Sequence, residues 1–163
     1  MRRLLRSAVA LAMPAALLAA CGAGPPAVTA AAARSAVPRA YRTLFNLSDK
    51  SVTAKLDVVE DGQTLRRAMA EALASPLAAA AAGAAVHQVT LLGRPACQNA
   101  LEPWPCARVV YDIVATNGSA LEANSAGYAV YVGGRWLVAK NTVCGLFELL
   151  YTTENKSGTP PGC

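Results

Sequence analysis

The chain has 163 residues, of which 54% are hydrophobic, and a formal net charge of +5 at pH 7. That length suits one small domain, and without the three arginines among the first six residues the charge balance is 12 basic to 10 acidic residues. The remaining charges are scattered along the chain, which excludes the basic patch that nucleic-acid binding requires.

Residues 1–20 have the pattern of a secretory signal peptide. Arg2, Arg3 and Arg6 form a basic start, and a mainly apolar run then continues to residue 20. The run is too short for a comfortable membrane span, which needs ~20 apolar residues, and Pro14 interrupts it. The cysteine that follows the run can belong to a lipoprotein signal, and the two alternatives to that interpretation are an ordinary signal peptide followed by a chance cysteine and an uncleaved anchor.

The end of the run, Leu18-Ala19-Ala20-Cys21, resembles the lipobox of bacterial lipoproteins. The resemblance implies a diacylglyceryl thioether on Cys21, cleavage before Cys21 and acylation of the new N-terminus. Two or three acyl chains anchor a protein stably, because each buried CH2 contributes ~0.8 kcal/mol. We therefore expect a lipoprotein on the extracytoplasmic face of a bacterial cell membrane, with the membrane as a partner through the lipid.

Four cysteines remain beyond the lipidated one: Cys97, Cys106, Cys144 and Cys163. An even number in an exported chain predicts two disulfides, for which three connectivities exist. We predict sequential pairing, Cys97 with Cys106 and Cys144 with Cys163. The alternative is a metal site, but the spacings differ from those of zinc sites and the chain has one histidine.

Residues 22–37 consist mostly of Ala, Gly, Pro, Ser and Thr with one charge. Such a segment cannot bury a core, so residues 21–37 are interpreted as the lipidated cysteine and a flexible tether. The folded domain is expected to cover residues 38–163 and to begin with Pro38 in the first turn of a helix.

Apolar residues at helical spacing predict three N-terminal helices. They are the helix that begins at Pro38, a helix over residues 50–60, and a helix that begins near Gln63 and is stopped by Pro76. The alanine-rich residues 78–85 are expected to form a short helical turn.

From Val86 onward the apolar pattern alternates, which is typical of strands. The predicted strands begin at Val86 and then cover residues 108–115, 126–132 and 135–141. His87, Val89 and Leu91 are expected to share one face of the first strand. A loop over residues 94–105 and turns at Asn117-Gly118 and Gly133-Gly134 separate the strands.

A short helix over residues 142–150 is expected to follow the strands, with Leu146, Leu149 and Leu150 buried. A polar tail would then be held by Cys163. Helices followed by a meander predict an α+β domain, in which N-terminal helices pack on a curled four-stranded antiparallel sheet and a short helix ends the chain.

A set of packing residues resembles small exported or lipid-anchored domains of actinobacteria, typified by the mycobacterial low-molecular-weight secreted antigen. The set is Tyr41-x-x-Leu44-Phe45, Leu56-x-Val58-Val59-x-Asp61-Gly62, Ala74-x-Pro76, Val109-x-Tyr111-Asp112, Gly134-x-Trp136-x-Val138 and Cys144. More distantly, the element order is similar to the nuclear transport factor 2-like or cystatin-like cone. These resemblances imply a fold and a location, and they assign no activity.

Cone-shaped folds often enclose an apolar pocket, and some, such as ketosteroid isomerase, place a tyrosine and a carboxylate in it. Tyr41, Asp57, Tyr111 and Asp112 are the available types, but none matches a catalytic motif, and adjacent strand residues face opposite sides. His87 is a candidate general base, but no serine of the chain has the sequence context of a catalytic nucleophile that it could activate. We therefore expect no catalytic residue, no cofactor and no metal.

Trp104 lies between two prolines in the loop bounded by Cys97 and Cys106. An aromatic side chain on a rigid loop makes Trp104 a candidate contact for a partner or a ligand. The more common arrangement, which we expect here, is that such a side chain folds back over the sheet edge.

The sequence thus predicts a non-catalytic envelope domain that binds an apolar small ligand or a protein partner. The alternatives are a pocket enzyme of the isomerase or dehydratase type and a purely structural envelope component. An enzyme needs at least two titratable groups facing one cavity, a ligand carrier needs a mostly apolar cavity, and a structural component needs neither.

Overall fold

The computed structural model describes residues 28–163, so the predicted signal peptide, Cys21 and the start of the tether lie outside the described residues. The helices are α1 (Ala30–Phe45), α2 (Val52–Leu56), α3 (Arg66–Leu73), α4 (Pro76–Ala80), α5 (Arg94–Asn99) and α6 (Lys140–Thr153). A 3-10 helix over Gly62–Leu65 leads into α3. The strands are β1 (Ala81–Leu91), β2 (Cys106–Ala115), β3 (Ala120–Val132) and β4 (Arg135–Val138).

The first helix begins earlier than the sequence predicted. Thr29 caps it by accepting a hydrogen bond from the backbone N–H of Ala32 at 3.1 Å, and the side chains of Ala33 and Val37 are fully buried. The prediction of a tether through residue 37 is therefore wrong for residues 30–37. Alanine has the highest helix propensity, and its small side chain lets this helix pack closely on the sheet.

The four strands form one antiparallel sheet in the order β1-β2-β3-β4, as the meander prediction required. The pairing of β1 with β2 shifts register between Val86 and Gln88. A bulge of this kind inserts one residue and changes which face the following residues occupy. As a result His87 is exposed while Val89 is buried, and the prediction that they share a face is wrong.

The core lies between the sheet and the helices. Tyr41 and Phe45 of α1 meet Tyr111 of β2, with ring centroids 4.9 Å and 5.5 Å from that of Tyr111. Val109, also on β2, is fully buried beside them. The chain is therefore an α+β domain, with helices packed on a curled four-stranded antiparallel sheet, as predicted.

The C-terminal helix α6 is longer than expected and is oriented differently. Phe147 and Leu150 are buried, whereas Leu146 is half-buried and Leu149 is 48% exposed. The prediction that Leu146 and Leu149 are buried with Leu150 is thus wrong, because α6 turns this edge toward a surface groove.

Both predicted disulfides are present: Cys97 pairs with Cys106 and Cys144 pairs with Cys163. The second bridge holds the C-terminal tail, in which Pro160 is buried. Disulfides persist in oxidising compartments, so this pairing indicates an extracytoplasmic environment. Between residues 28 and 163, no helix has both the length and the apolar character needed to cross a bilayer.

Candidate functional site: an apolar groove that adjoins a polar pocket

An apolar groove opens between helices and one edge region of the sheet. The helices are the C-terminal end of α1, α3, α4 and α6, and the sheet contributes the end of β2 and the beginning of β3. The volume of the groove is about 450 Å³, within the ~300–1,000 Å³ typical of small-molecule sites. Its walls are almost entirely aliphatic or aromatic and include the buried Phe45, Met69 and Phe147. Among the described residues that line it, Glu122 is the one charged side chain.

The rim of the groove exposes three leucines. Leu77 of α4, Leu121 of β3 and Leu149 of α6 are 43%, 42% and 48% exposed, and all three line the groove. A single exposed leucine is ordinary, but leucines gathered around one opening form an apolar patch of the kind that marks binding sites. The groove therefore offers a solvent-accessible apolar surface from three separate elements.

A second pocket, of about 310 Å³, adjoins the groove where β3 faces α6. The two cavities share Glu122, Leu146 and Leu149 in their walls. The polar pocket also has side chains that carry hydroxyl, amide and carboxyl groups: Glu102, Tyr111, Ser125, Tyr128, Asn141 and Thr142. A mostly apolar cavity thus lies next to a cavity that can form hydrogen bonds.

Glu102 is the most unusual residue of the polar pocket. It is 4% exposed, and neither carboxyl oxygen has a hydrogen bond of normal geometry from the described residues. Burial, followed by the charge of Glu60, raises the pKa of Glu102 to about 7, while the Asn141 amide acts in the opposite direction. The carboxyl therefore changes its protonation state near neutral pH.

The loop that carries Glu102 is held in place by several constraints. The Cys97–Cys106 disulfide closes it, and the backbone N–H of Glu102 donates to the carbonyl of Cys97 at 2.9 Å. The preceding Leu101 has a positive φ of 58° and is 82% exposed. The backbone thus turns a leucine toward solvent and a carboxyl toward the interior.

Hydrogen bonds beside the polar pocket tie α1 and α6 to β3. The Tyr41 hydroxyl donates to the carbonyl of Tyr128 at 3.1 Å, and the Tyr128 N–H donates to the hydroxyl of Thr142 at 2.8 Å. A Cβ at Gly127 would lie 2.6 Å from Cγ2 of Thr142 and 2.8 Å from the Tyr41 oxygen, so a larger residue would displace these side chains. Burial raises the pKa of Tyr41 above its ordinary value and that of Tyr111 to about 12, which keeps both neutral.

The other predicted candidates lie away from the two cavities. Asp112 faces the opposite side of β2 from Tyr111, as predicted, and its Oδ2 is 2.8 Å from Nε2 of His87. A hydrogen bond from the backbone N–H of Asn124, followed by one from His87, lowers the pKa of Asp112. Asp57 is exposed just after α2. His87 and Asp112 therefore form an outer-surface pair.

Trp104 is 51% exposed, and the guanidinium of Arg94 lies over its ring at 4.6 Å from the centroid. The ring is thus supported by a cation and keeps half of its surface open. Its contact with a partner stays a hypothesis, and Cys21, the predicted lipidation site, lies outside the described residues.

Sequence reasoning missed Glu102 and Glu122. Both are single acidic residues outside any recognised motif, and a lone carboxylate is normally solvated. The available signal was the predicted disulfide around residues 97–106, because a constrained loop can hold a side chain inward that a free loop would leave in water.

No group of three or more His, Cys, Asp or Glu side chains in residues 28–163 could hold a metal ion. Comparisons with models of protein families, with curated proteins and with solved structures found no match for this chain.

Proposed function

We propose that this chain is a lipid-anchored, extracytoplasmic domain without catalytic activity that binds an apolar small molecule in the apolar groove. The observation that carries the proposal is the groove itself, with buried aromatic walls and three exposed leucines on its rim. A small molecule fits better than a protein segment, because the cavity has the volume of a small-molecule site.

The proposed location combines two observations. The lipobox-like residues 18–21 support an anchor on Cys21, and the two disulfides support an oxidising compartment. Membership of the actinobacterial secreted-antigen group and the nuclear transport factor 2-like or cystatin-like cone belong to the same proposal, supported by the quoted packing residues and the helices-then-meander order.

Binding is tested with the full chain, exported so that its disulfides form. We expect decanol to displace the fluorescent apolar dye Nile red from the groove. Leu149→Arg should weaken the binding of decanol and of Nile red by at least tenfold, because it places a charge in the apolar opening. Val132→Arg is the matched control, since Val132 is 44% exposed and does not line the groove. Unchanged binding in Leu149→Arg would contradict the proposal.

The anchor is tested by intact mass of the protein from the membrane fraction. We expect a chain that begins at Cys21 and carries added acyl mass, and we expect Cys21→Ser to appear without that mass in the soluble fraction. A mature chain without added lipid would exclude the anchor.

A second candidate is a pocket enzyme of the isomerase or dehydratase type. It is favoured by two observations. Glu102 and Tyr111 line the same cavity, and the pKa of Glu102 is about 7, which suits a general base. Incubation of apolar ketones with the protein in D2O tests it. Deuterium incorporation that is lost in Glu102→Gln would favour the enzyme over the carrier.

A further inference from the structure

Glu102 has an arrangement that the fold alone does not explain. Its carboxyl group is buried, and neither oxygen has a hydrogen bond of normal geometry from the described residues, the Asn141 amide being the polar group that lowers its pKa. A buried carboxyl without a partner is unfavourable, so such groups in folded proteins are normally paired. The hydroxyl of Ser125, which lines the same polar pocket, is also buried without a partner. Two unpartnered polar groups therefore lie at one cavity.

The polar pocket borders the apolar groove. Glu122, Leu146 and Leu149 belong to the walls of both. A molecule in the groove can therefore extend a polar end toward Glu102 without leaving the surface that buries its apolar part. This geometry suits a ligand with two chemically different ends.

The charges of the two cavities have one sign. Among the described residues that line them, the charged side chains are Glu102 and Glu122, and there is no Lys, Arg or His. Complementary charge favours a ligand with a positive group and disfavours an anionic ligand such as a fatty acid.

Among the described residues, the groups that act on the pKa of Glu102 include no cation. Glu60, from the segment after α2, raises the pKa of Glu102 by its charge, and Asn141 of α6 contributes a neutral amide. Tyr41 of α1 interacts with Glu102 and stays neutral. Glu122 of β3 adds a second carboxyl to the same pocket.

We propose that the polar pocket binds the ammonium group of an apolar amine beside Glu102, while the hydrocarbon part of the amine occupies the apolar groove. This inference rests on the proposed function of the groove. The Ser125 hydroxyl accepts a hydrogen bond from the ammonium group, and Glu122 contributes to the negative field.

The test uses three probes with the same chain length: decylamine, decanol and decanoate. Binding to the full, disulfide-bonded chain is measured by displacement of Nile red at pH 5 and pH 8. At pH 8 we expect decylamine to bind at least tenfold more tightly than decanol, and decanoate to bind most weakly. Because Glu102 is protonated at pH 5, the advantage of decylamine over decanol should shrink severalfold there, while decanol binding stays constant.

Two variants assign the effect to Glu102. In Glu102→Gln the advantage of decylamine over decanol should disappear, because a neutral amide does not attract the ammonium group. Glu148→Gln, an exposed position on α6, is the matched control and should behave like the wild type. If Glu102→Gln does not fold, the comparison of pH 5 with pH 8 in the wild type tests whether a carboxyl group of the polar pocket is responsible, and an advantage of decylamine that stays the same at both pH values would overturn the proposal.

The outcomes separate this inference from the proposed function. Equal binding of decylamine and decanol at pH 8, or an advantage that persists in Glu102→Gln, overturns the amine proposal and leaves the groove intact. Tightest binding by decanoate also overturns it. If no probe binds, or if Leu149→Arg changes nothing, both proposals fail.

Discussion

Burial of Glu102 makes the stability of the fold depend on pH. Its pKa is about 7 in the folded state and has the ordinary value of 4.5 in the unfolded chain. Between these values the folded state keeps a proton that the unfolded state has released, so stability falls as pH rises and levels off above pH 7. The full shift corresponds to about 3 kcal/mol, because one pKa unit is worth ~1.4 kcal/mol.

We therefore predict that Glu102→Gln removes this decline, because an amide does not ionise. Urea unfolding of the wild type and of Glu102→Gln at pH 5 and pH 8 measures this change in the free energy of unfolding. The difference between the two proteins separates the contribution of Glu102 from that of other titrating groups. Glu148→Gln should retain the wild-type decline. An equal pH dependence in wild type and Glu102→Gln would show that the carboxyl is solvated.

A second buried ionisable residue, Lys55, has a structural role. Its side chain is fully buried, and its ammonium group donates to the carbonyls of Thr43 and Asn46 at 2.7 Å and 2.6 Å. These carbonyls belong to the end of α1, where the helix leaves backbone acceptors without partners. Lys55 therefore acts as a C-terminal cap supplied by the next helix.

Replacing Lys55 with methionine should destabilise the fold by about 3 kcal/mol, because two buried carbonyls lose a charged donor and each unpaired group costs ~1–3 kcal/mol. Urea unfolding at pH 7 measures the loss. Arg34→Met, an exposed position on α1, should change the stability by less than about 0.5 kcal/mol. If Lys55→Met also changed the stability by less than about 0.5 kcal/mol, water would be replacing the ammonium group as the donor to these carbonyls.

At the scale of elements, the sequence predicts what local chemistry determines. The Gly133-Gly134 turn forms as predicted, with positive φ at both residues, because glycine pays no steric cost there. Prediction from the sequence fails where tertiary contacts determine the structure. The bulge beside His87 and the inward position of Glu102 both depend on how strands and loop meet, and no local pattern encodes them.

The N-terminal half of α1 is a further case in which prediction from local sequence fails. Low-complexity alanine suggested a tether, yet Ala33 and Val37 are buried at helical spacing against the sheet. Val37→Ala should therefore cost about 2 kcal/mol, because two buried methyl groups are removed and a cavity remains. Val132→Ala, at a 44% exposed position, should cost less than about 0.5 kcal/mol. A free tether would give no loss for Val37→Ala in thermal or urea unfolding.

At the scale of the whole molecule, we expect the two disulfides to contribute similarly to stability and differently to ligand binding. The bridged residues are 9 and 19 positions apart, and in the chain-entropy model each closure contributes about 3 kcal/mol. Only the Cys97–Cys106 loop carries Glu102. The Cys144–Cys163 bridge instead ties the C-terminal tail to α6.

Paired Cys→Ser replacements at either bridge should therefore cost similar stability but have different effects on ligand selectivity. Without the Cys97–Cys106 bridge, Glu102 can turn toward water, so the advantage of decylamine over decanol should fall severalfold. Without the Cys144–Cys163 bridge, that advantage should remain. Dye displacement at pH 8, at a temperature where urea unfolding shows both variants folded, measures this. Equal loss of selectivity in both variants would mean that general loosening, rather than the position of Glu102, controls recognition.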